Sequence, residues 1–228
     1  MDILFQSNSF LIAQANYLKY NSLLNEVVDP NGKVNYQKLK TREKSLFEIS
    51  KELRTIKNID SWSKPDQLAY WINLYNLQIL IALTEHYKVK SILDIENGKI
   101  WDLKKIEVMG TAYSLNEIEN EIIRKKFKEA RIHFAINCGA ESCPPLMNRS
   151  YTGKNLEEQL NQRTRAFINN PKNIVSMNHT IKVSKIFDWF KDDFGNLLDF
   201  INLYSDHKYI GGTKVEYLDY SWNLNEKK

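Results

Sequence analysis

Between Arg131 and Leu146 the chain gathers both of its cysteines, Cys138 and Cys143, and one of its four histidines, His133. A thiolate, a base to take its proton and a group to orient that base are the parts of a nucleophilic site. Gly139 follows Cys138, and its missing Cβ lets a ligand or a sharp turn come close. Cys143 precedes Pro144 and Pro145, a pair suited to opening a helical turn, where a thiol ionises more readily. The run Arg131 to Cys138 reads as a strand, with His133, Ala135 and Asn137 on one face and Phe134, Ile136 and Cys138 on the other. Contact between His133 and Cys138 then needs a bulge or turn near Asn137, whereas Cys143 lies beyond the turn and is freer to meet the imidazole. The plainer alternative is a buried strand histidine satisfied by a neighbour.

Carboxylates and amides supply the other candidates. Glu119 has Leu115 four residues before it and Ile122 and Ile123 three and four after it, so its carboxylate falls in or beside an apolar helix stripe and needs a partner. His133 as that partner makes Glu119 an orienter; Arg124 or Arg131 makes it half of a structural ion pair. Asn73 and Asn76 stand three apart on a helix that is otherwise apolar nearly all round. Each is either a clamp in the core or an amide donor lining a pocket. Asp193, beside Trp189 and Phe190, poses the same choice, while Phe187, Trp189, Phe190 and Phe194 read as core packing. His133, Cys138, Cys143 and Glu119 also offer N, S and O ligands. The cysteine spacing, 143 − 138 = 5, is wider than a structural zinc pair and no second pair exists, so no metal and no other cofactor is expected. A disulfide between the cysteines belongs to an oxidising compartment and would abolish a resting thiolate.

These groups hang on elements that local signals outline. Tyr17 to Val28 is helical and stops at Asp29-Pro30-Asn31-Gly32; Lys33 to Leu39 reads as a short strand and Glu43 to Ile56 as a helix. Ser63-Lys64-Pro65-Asp66 starts a helix reaching about His86. Trp101 to Ser114 reads as a hairpin turning at Met109-Gly110-Thr111, and Ser114 with Glu117 forms a capping box for a helix from Leu115 to Lys128. Leu156 to Asn169 and Ile186 to Phe194 read as helices, Thr180 to Ser184 and Val215 to Trp222 as strands. Without a βαβ rhythm or a glycine-rich phosphate loop, the expected fold is α+β, an antiparallel sheet with packed helices.

Composition narrows the classes. The chain has 228 residues, net charge 32 − 28 = +4, 43% hydrophobic and 26% charged residues, which excludes collagen-like, disordered and disulfide-stapled readings. One domain over residues 1–228 is expected, a helical preamble (17–62) packed on a core (63–225). The basic run Arg124, Lys125, Lys126, Lys128 and Arg131 reads as a solvated helix face rather than a phosphate-binding patch, and no nucleic-acid partner is expected. Leu68 to Leu83, interrupted by Asn73, Asn76 and Gln78, falls short of the ~20 apolar residues of a membrane span. Met1 to Ala15 lacks a basic start and an unbroken apolar run, so no intact signal peptide is read. That leaves the compartment open between cytoplasm and, after loss of a leader, periplasm or export. Sequons at Asn148 and Asn178 matter only in a host that glycosylates.

Four ordered blocks carry a resemblance: YWINLYN at Tyr70 to Asn76, SLNEIENEIIR at Ser114 to Arg124, RIHFAINCGAESCPPL at Arg131 to Leu146, and SKIFDWF at Ser184 to Phe190. Together they resemble the family named domain of unknown function 547, over roughly Tyr20 to Tyr204, and Val215 to Asn225 resembles the ending of its bacterial members. The resemblance implies a fold but no settled reaction. Bacterial members are similar at both cysteines and plant-type members depart at the second, which puts Cys138 ahead. The residue types invite comparison with papain-like and transglutaminase-like thiol enzymes, an analogy of parts. The expectation is therefore a thiol-dependent hydrolase or acyl transferase acting on a small-molecule or peptide substrate. Cys138 (or Cys143) is its nucleophile, His133 its base and Glu119 the orienter, with Asn73, Asn76 and Asp193 as substrate-binding residues. The competing expectation is a non-catalytic binding or scaffold module in which the same residues are structural.

Overall fold

The structure, a computed structural model, describes residues 2–177 and 179–227, with side chains from Ser9 onward; Met1 and the sequon at Asn178 lie outside the described residues. Helix α1 (Asp2–Val27) ends where the Asp29 carboxylate accepts the amides of Asn31 and Lys33 and turns the chain. The expected strand from Lys33 to Leu39 is instead helix α2 (Tyr36–Thr41), because Asn35 caps it by accepting the Lys38 amide, and Val34 keeps only isolated bridges to Val28 and Glu226. Helix α3 (Glu43–Arg54) follows. Ser63 then caps α4 (Lys64–Glu85), with Pro65 in the first turn, as the sequence signals.

Helix α4 is buried on all sides from Gln67 to Leu77, so it is the axis of the larger apolar cluster, which takes in α1, α3 and the hairpin β1 (Ile106–Val108) and β2 (Thr111–Tyr113). Ser114 and Glu117 form the expected capping box. The helix it opens is wide-turned over Glu117–Arg124, a π-helix, and finishes as the short α5 (Lys125–Phe127). A second apolar cluster is built from Phe134, from α6 (Leu156–Ile168) and from strands β3 (Ile174–Met177) and β4 (Thr180–Val183). Helices α7 (Ile186–Trp189), α8 (Lys191–Phe194) and α9 (Leu197–Tyr204) complete it. Strand β5 (Lys214–Tyr217) pairs parallel to β4, while β3 pairs antiparallel to it. The protein is thus α+β with helices predominating, but the expected single antiparallel sheet is two small ones, the second mixed.

Four further sequence expectations need correction. Arg131 to Cys138 is not a strand: Ala130–Phe134 is a 3-10 turn in which the Glu129 carboxylate accepts the Arg131 amide, and the chain runs on irregularly. Every residue from Ile132 to Asn137 is buried, and the segment takes its hydrogen bonds from within the turn and from Asn76 rather than from a neighbouring strand. Pro144 and Pro145 open no helical turn, which removes the helix-end argument for Cys143. The expected helix Ile186 to Phe194 breaks at Phe190 into α7 and α8, and the terminal strand is confined to β5. Among the described residues no helix is long and apolar enough to cross a membrane.

Candidate functional site

The 3-10 turn sits on the seam between the two apolar clusters, with Ile132 and Ala135 in the larger and Phe134 in the smaller. Helix α4 fixes it there. Asn76 donates to the Ala135 carbonyl at 3.0 Å and accepts the Asn137 amide at 2.8 Å, replacing the strand neighbour that this segment lacks. Asn73 does the same one turn earlier, donating to the Tyr151 carbonyl and accepting the Tyr151 amide, both at 2.8 Å. Asn137 extends the chain of clamps: it donates to the Pro144 carbonyl at 2.6 Å and accepts the Gly139 amide at 2.8 Å. Gly139 has φ +81°, a conformation that favours glycine, and a Cβ there would lie 2.6 Å from Leu83 Cδ1, whose side chain would have to shift. Asn73 and Asn76, expected as substrate-binding candidates, therefore spend their amides on backbone and do not border the pocket described below.

His133 is 2% exposed and stacks on Phe190, ring centroids 4.0 Å apart. Its Nε2 lies 2.6 Å from Asp193 Oδ2, and Arg124 donates to both oxygens of the same carboxylate, at 2.6 and 3.0 Å. The hydrogen bond with His133, then those from Arg124, hold Asp193 well below the usual carboxylate range. Burial pushes the imidazole below its ordinary value, against the pull of Asp193, and so favours the neutral ring. An ionised Asp193 can only accept, which assigns the proton to Nε2 and leaves a lone pair on Nδ1. Nδ1 is buried and has no hydrogen-bond partner among the described residues.

Glu119 does not meet His133. The wide-turned helix buries it together with Ile118, Ile122 and Ile123, and the Tyr75 hydroxyl donates to its Oε2 at 3.1 Å. Burial pushes the carboxyl up to about 7, with the Tyr75 bond working against the shift. The carboxylate beside His133 is thus Asp193, 60 residues away and expected as a substrate-binding residue, while Glu119, the expected orienter, stands apart with its carboxyl pushed up to about 7.

Cys138 and Cys143 are joined in a disulfide, and the Tyr220 hydroxyl lies 3.3 Å from Cys138 Sγ. The oxidised chain has no thiolate, so the nucleophile assignment applies to the reduced protein alone. Both cysteines are half-buried rather than sealed in the core.

Glu119, His133, Cys138 and Cys143 nevertheless border one pocket of about 270 Å³ on the seam between the clusters. Its walls are aromatic: Tyr75, Trp101, Trp189, Phe190, Tyr220 and Trp222. Tyr220 and Trp222 come from the tail after β5, which bridges back at Asn223 to Ser91 and at Leu224 to Ala140. A wider groove of about 840 Å³ beside Lys33, Lys88, Lys90, Glu141 and Glu226 is lined mainly by solvated charges and holds none of these groups. Among the described residues no three His, Cys, Asp or Glu side chains converge as a metal ion requires. Sequence reasoning missed Asn137, Tyr75, Tyr220 and the Asp193–His133 pair, whose members are distant in the chain; the one signal for the pair was an acid set among aromatics at Asp193.

No curated protein and no solved structure matches the chain. The model of a family described as "Protein of unknown function, DUF547" matches residues 59–168. That stretch contains α4, the wide-turned helix with Glu119, His133 and the disulfide; Asp193 and Tyr220 fall outside it. Residues 59–168, just under half of the chain, are thus the part that is similar to the DUF547 family.

Proposed function

We propose that the reduced protein is a thiol-dependent hydrolase or acyl transferase, with Cys138 as nucleophile, His133 as base and Asp193 as the residue positioning the base. One observation carries this reading: a histidine with one nitrogen committed to a carboxylate and the other without a partner among the described residues borders the same pocket as the cysteines. In the step envisaged, the Cys138 proton passes to His133 Nδ1, the sulfur attacks an acyl carbonyl, and the leaving group takes a proton as the thioester forms; water or an amine then releases the acyl group. Tyr220, kept protonated because burial raises its pKa, is available to donate to the Cys138 sulfur as it gains charge. Glu119, at about 7, is suited to giving or taking a proton near neutral pH. Asn73 and Asn76 have no part in it. The scaffold reading rests on the disulfide, which closes the loop from 138 to 143 as a structural staple would.

Alkylation of the reduced protein across a pH series, read by peptide mass, separates the two. Thiol chemistry requires Cys138 to react with a midpoint well below the ~8.5 of a free thiol, and His133→Ala and Tyr220→Phe to move that midpoint up. An ordinary midpoint unmoved by either substitution would leave the scaffold reading standing.

A further inference from the structure

The thiol reading makes no use of the pocket's walls. Trp189 and Trp222 are stacked at 5.8 Å, Tyr220 lies 4.8 Å from each, and Trp101 meets Trp222 edge-on at 5.8 Å. Trp189 is 44% exposed, which puts it at the mouth. Aromatic faces carry negative potential, and several of them around one space attract a cation that has left water. Glu119 lies in the same lining with Tyr75 as its hydrogen-bond donor, and no lysine or arginine borders the pocket among the described residues. Arg124, the nearest guanidinium on the same helix, is committed to Asp193 and Asn120.

We propose that this pocket binds an organic ammonium group, primary or methylated, seated against Trp189, Trp222 and Tyr220 and paired with the Glu119 carboxylate. A neutral apolar occupant would strip water from the carboxylate and return nothing, and an anion would be repelled by both the acid and the ring faces. A volume of about 270 Å³ suits a side-chain-sized head group rather than a drug-sized ligand. Burial that raises Glu119 to about 7 is the penalty that an arriving cation relieves. The proposal concerns the pocket used in the thiol reading but not the thiol, so it is tested on the oxidised chain, where it stands or fails separately.

Three tryptophans border the pocket, so their fluorescence reports occupancy directly. The probes are choline, n-butylammonium and neohexyl alcohol, which has the shape of choline with carbon in place of the charged nitrogen. At about pH 8, where Glu119 is ionised, at least one cation should titrate to saturation and bind roughly tenfold or more tightly than neohexyl alcohol. Glu119→Gln should weaken that cation by roughly tenfold, and Trp189→Ala, at a position 44% exposed, should weaken it several-fold. If neither cation saturates, or the alcohol binds as well as choline, or both variants bind like the parent, the proposal is overturned.

Discussion

Helix α4 and the seam pocket both bury polar side chains, and they use them in opposite ways. Asn73 and Asn76 are 1% and 3% exposed, and each spends both ends of its amide on backbone that no strand or helix satisfies. Glu119 and His133 are 8% and 2% exposed, yet among the described residues the first has one donor, Tyr75, and the second keeps a nitrogen unpartnered. Buried polar groups are ordinarily paired because leaving one unmade costs about 1–3 kcal/mol. The comparison therefore separates polar groups that specify the fold from groups the fold holds in reserve, at a cost that the clamps and cores offset.

Removing a clamp should do the most damage. Asn76→Ala leaves the Ala135 carbonyl and the Asn137 amide buried and unpaired, so we expect a loss of about 2–5 kcal/mol, or roughly 5–15 °C in melting temperature for a chain of this size. Calorimetry or denaturant titration checks it. A loss as small as that of an exposed substitution would mean that the 135–137 segment finds other partners and that the contrast with the pocket is false.

The clamps also show how much of the molecule could be read from the chain alone. The capping box at Ser114, the Ser63 cap and the Asp29 turn were legible because each is a local bargain between neighbours in sequence. The polar–apolar conflict at Asn73, Asn76 and Glu119 was legible as a demand for partners, and Glu119, His133 and the cysteines border one pocket. The partners themselves were not legible. Asp193 reaches His133 across 60 residues and Tyr220 reaches Cys138 across 82, both through tertiary placement. The misread strand at Arg131 to Cys138 failed for a related reason. Its Ile-Phe-Ile pattern suits a strand, but burial on every side and an amide from α4 decide its conformation.

A second test reverses the sign of the first. With Glu119 at about 7 in the folded chain and near 4.5 when unfolded, the unfolded chain holds fewer protons between those values, so stability falls as pH rises through that window and levels off above it. Glu119→Gln keeps an acceptor for Tyr75 and has no charge to bury. The variant should match the parent near pH 4 and exceed it by up to about 3 kcal/mol near pH 8. Because His133 and Asp193 titrate alike in both proteins, their contributions cancel in the difference. A variant as unstable at pH 8 as an Asn76 clamp mutant would place Glu119 among the structural groups.

The smallest expected effect is on stability and the most specific is on a proton. Asp193 is partly exposed, with 26% of its side chain open to solvent, so Asp193→Asn should cost only about 1 kcal/mol once solvent screening is allowed for. Its amide can turn either end toward His133 Nε2, donating through nitrogen or accepting through oxygen, so it no longer dictates which ring nitrogen carries the proton. The nitrogen-15 shifts of His133 should report the Nε2–H form alone in the parent at pH 7 and a mixture, or the Nδ1–H form, in the variant. If the parent already holds the proton on Nδ1, the free lone pair does not exist, and the imidazole belongs with the asparagines as a group already spent on the fold.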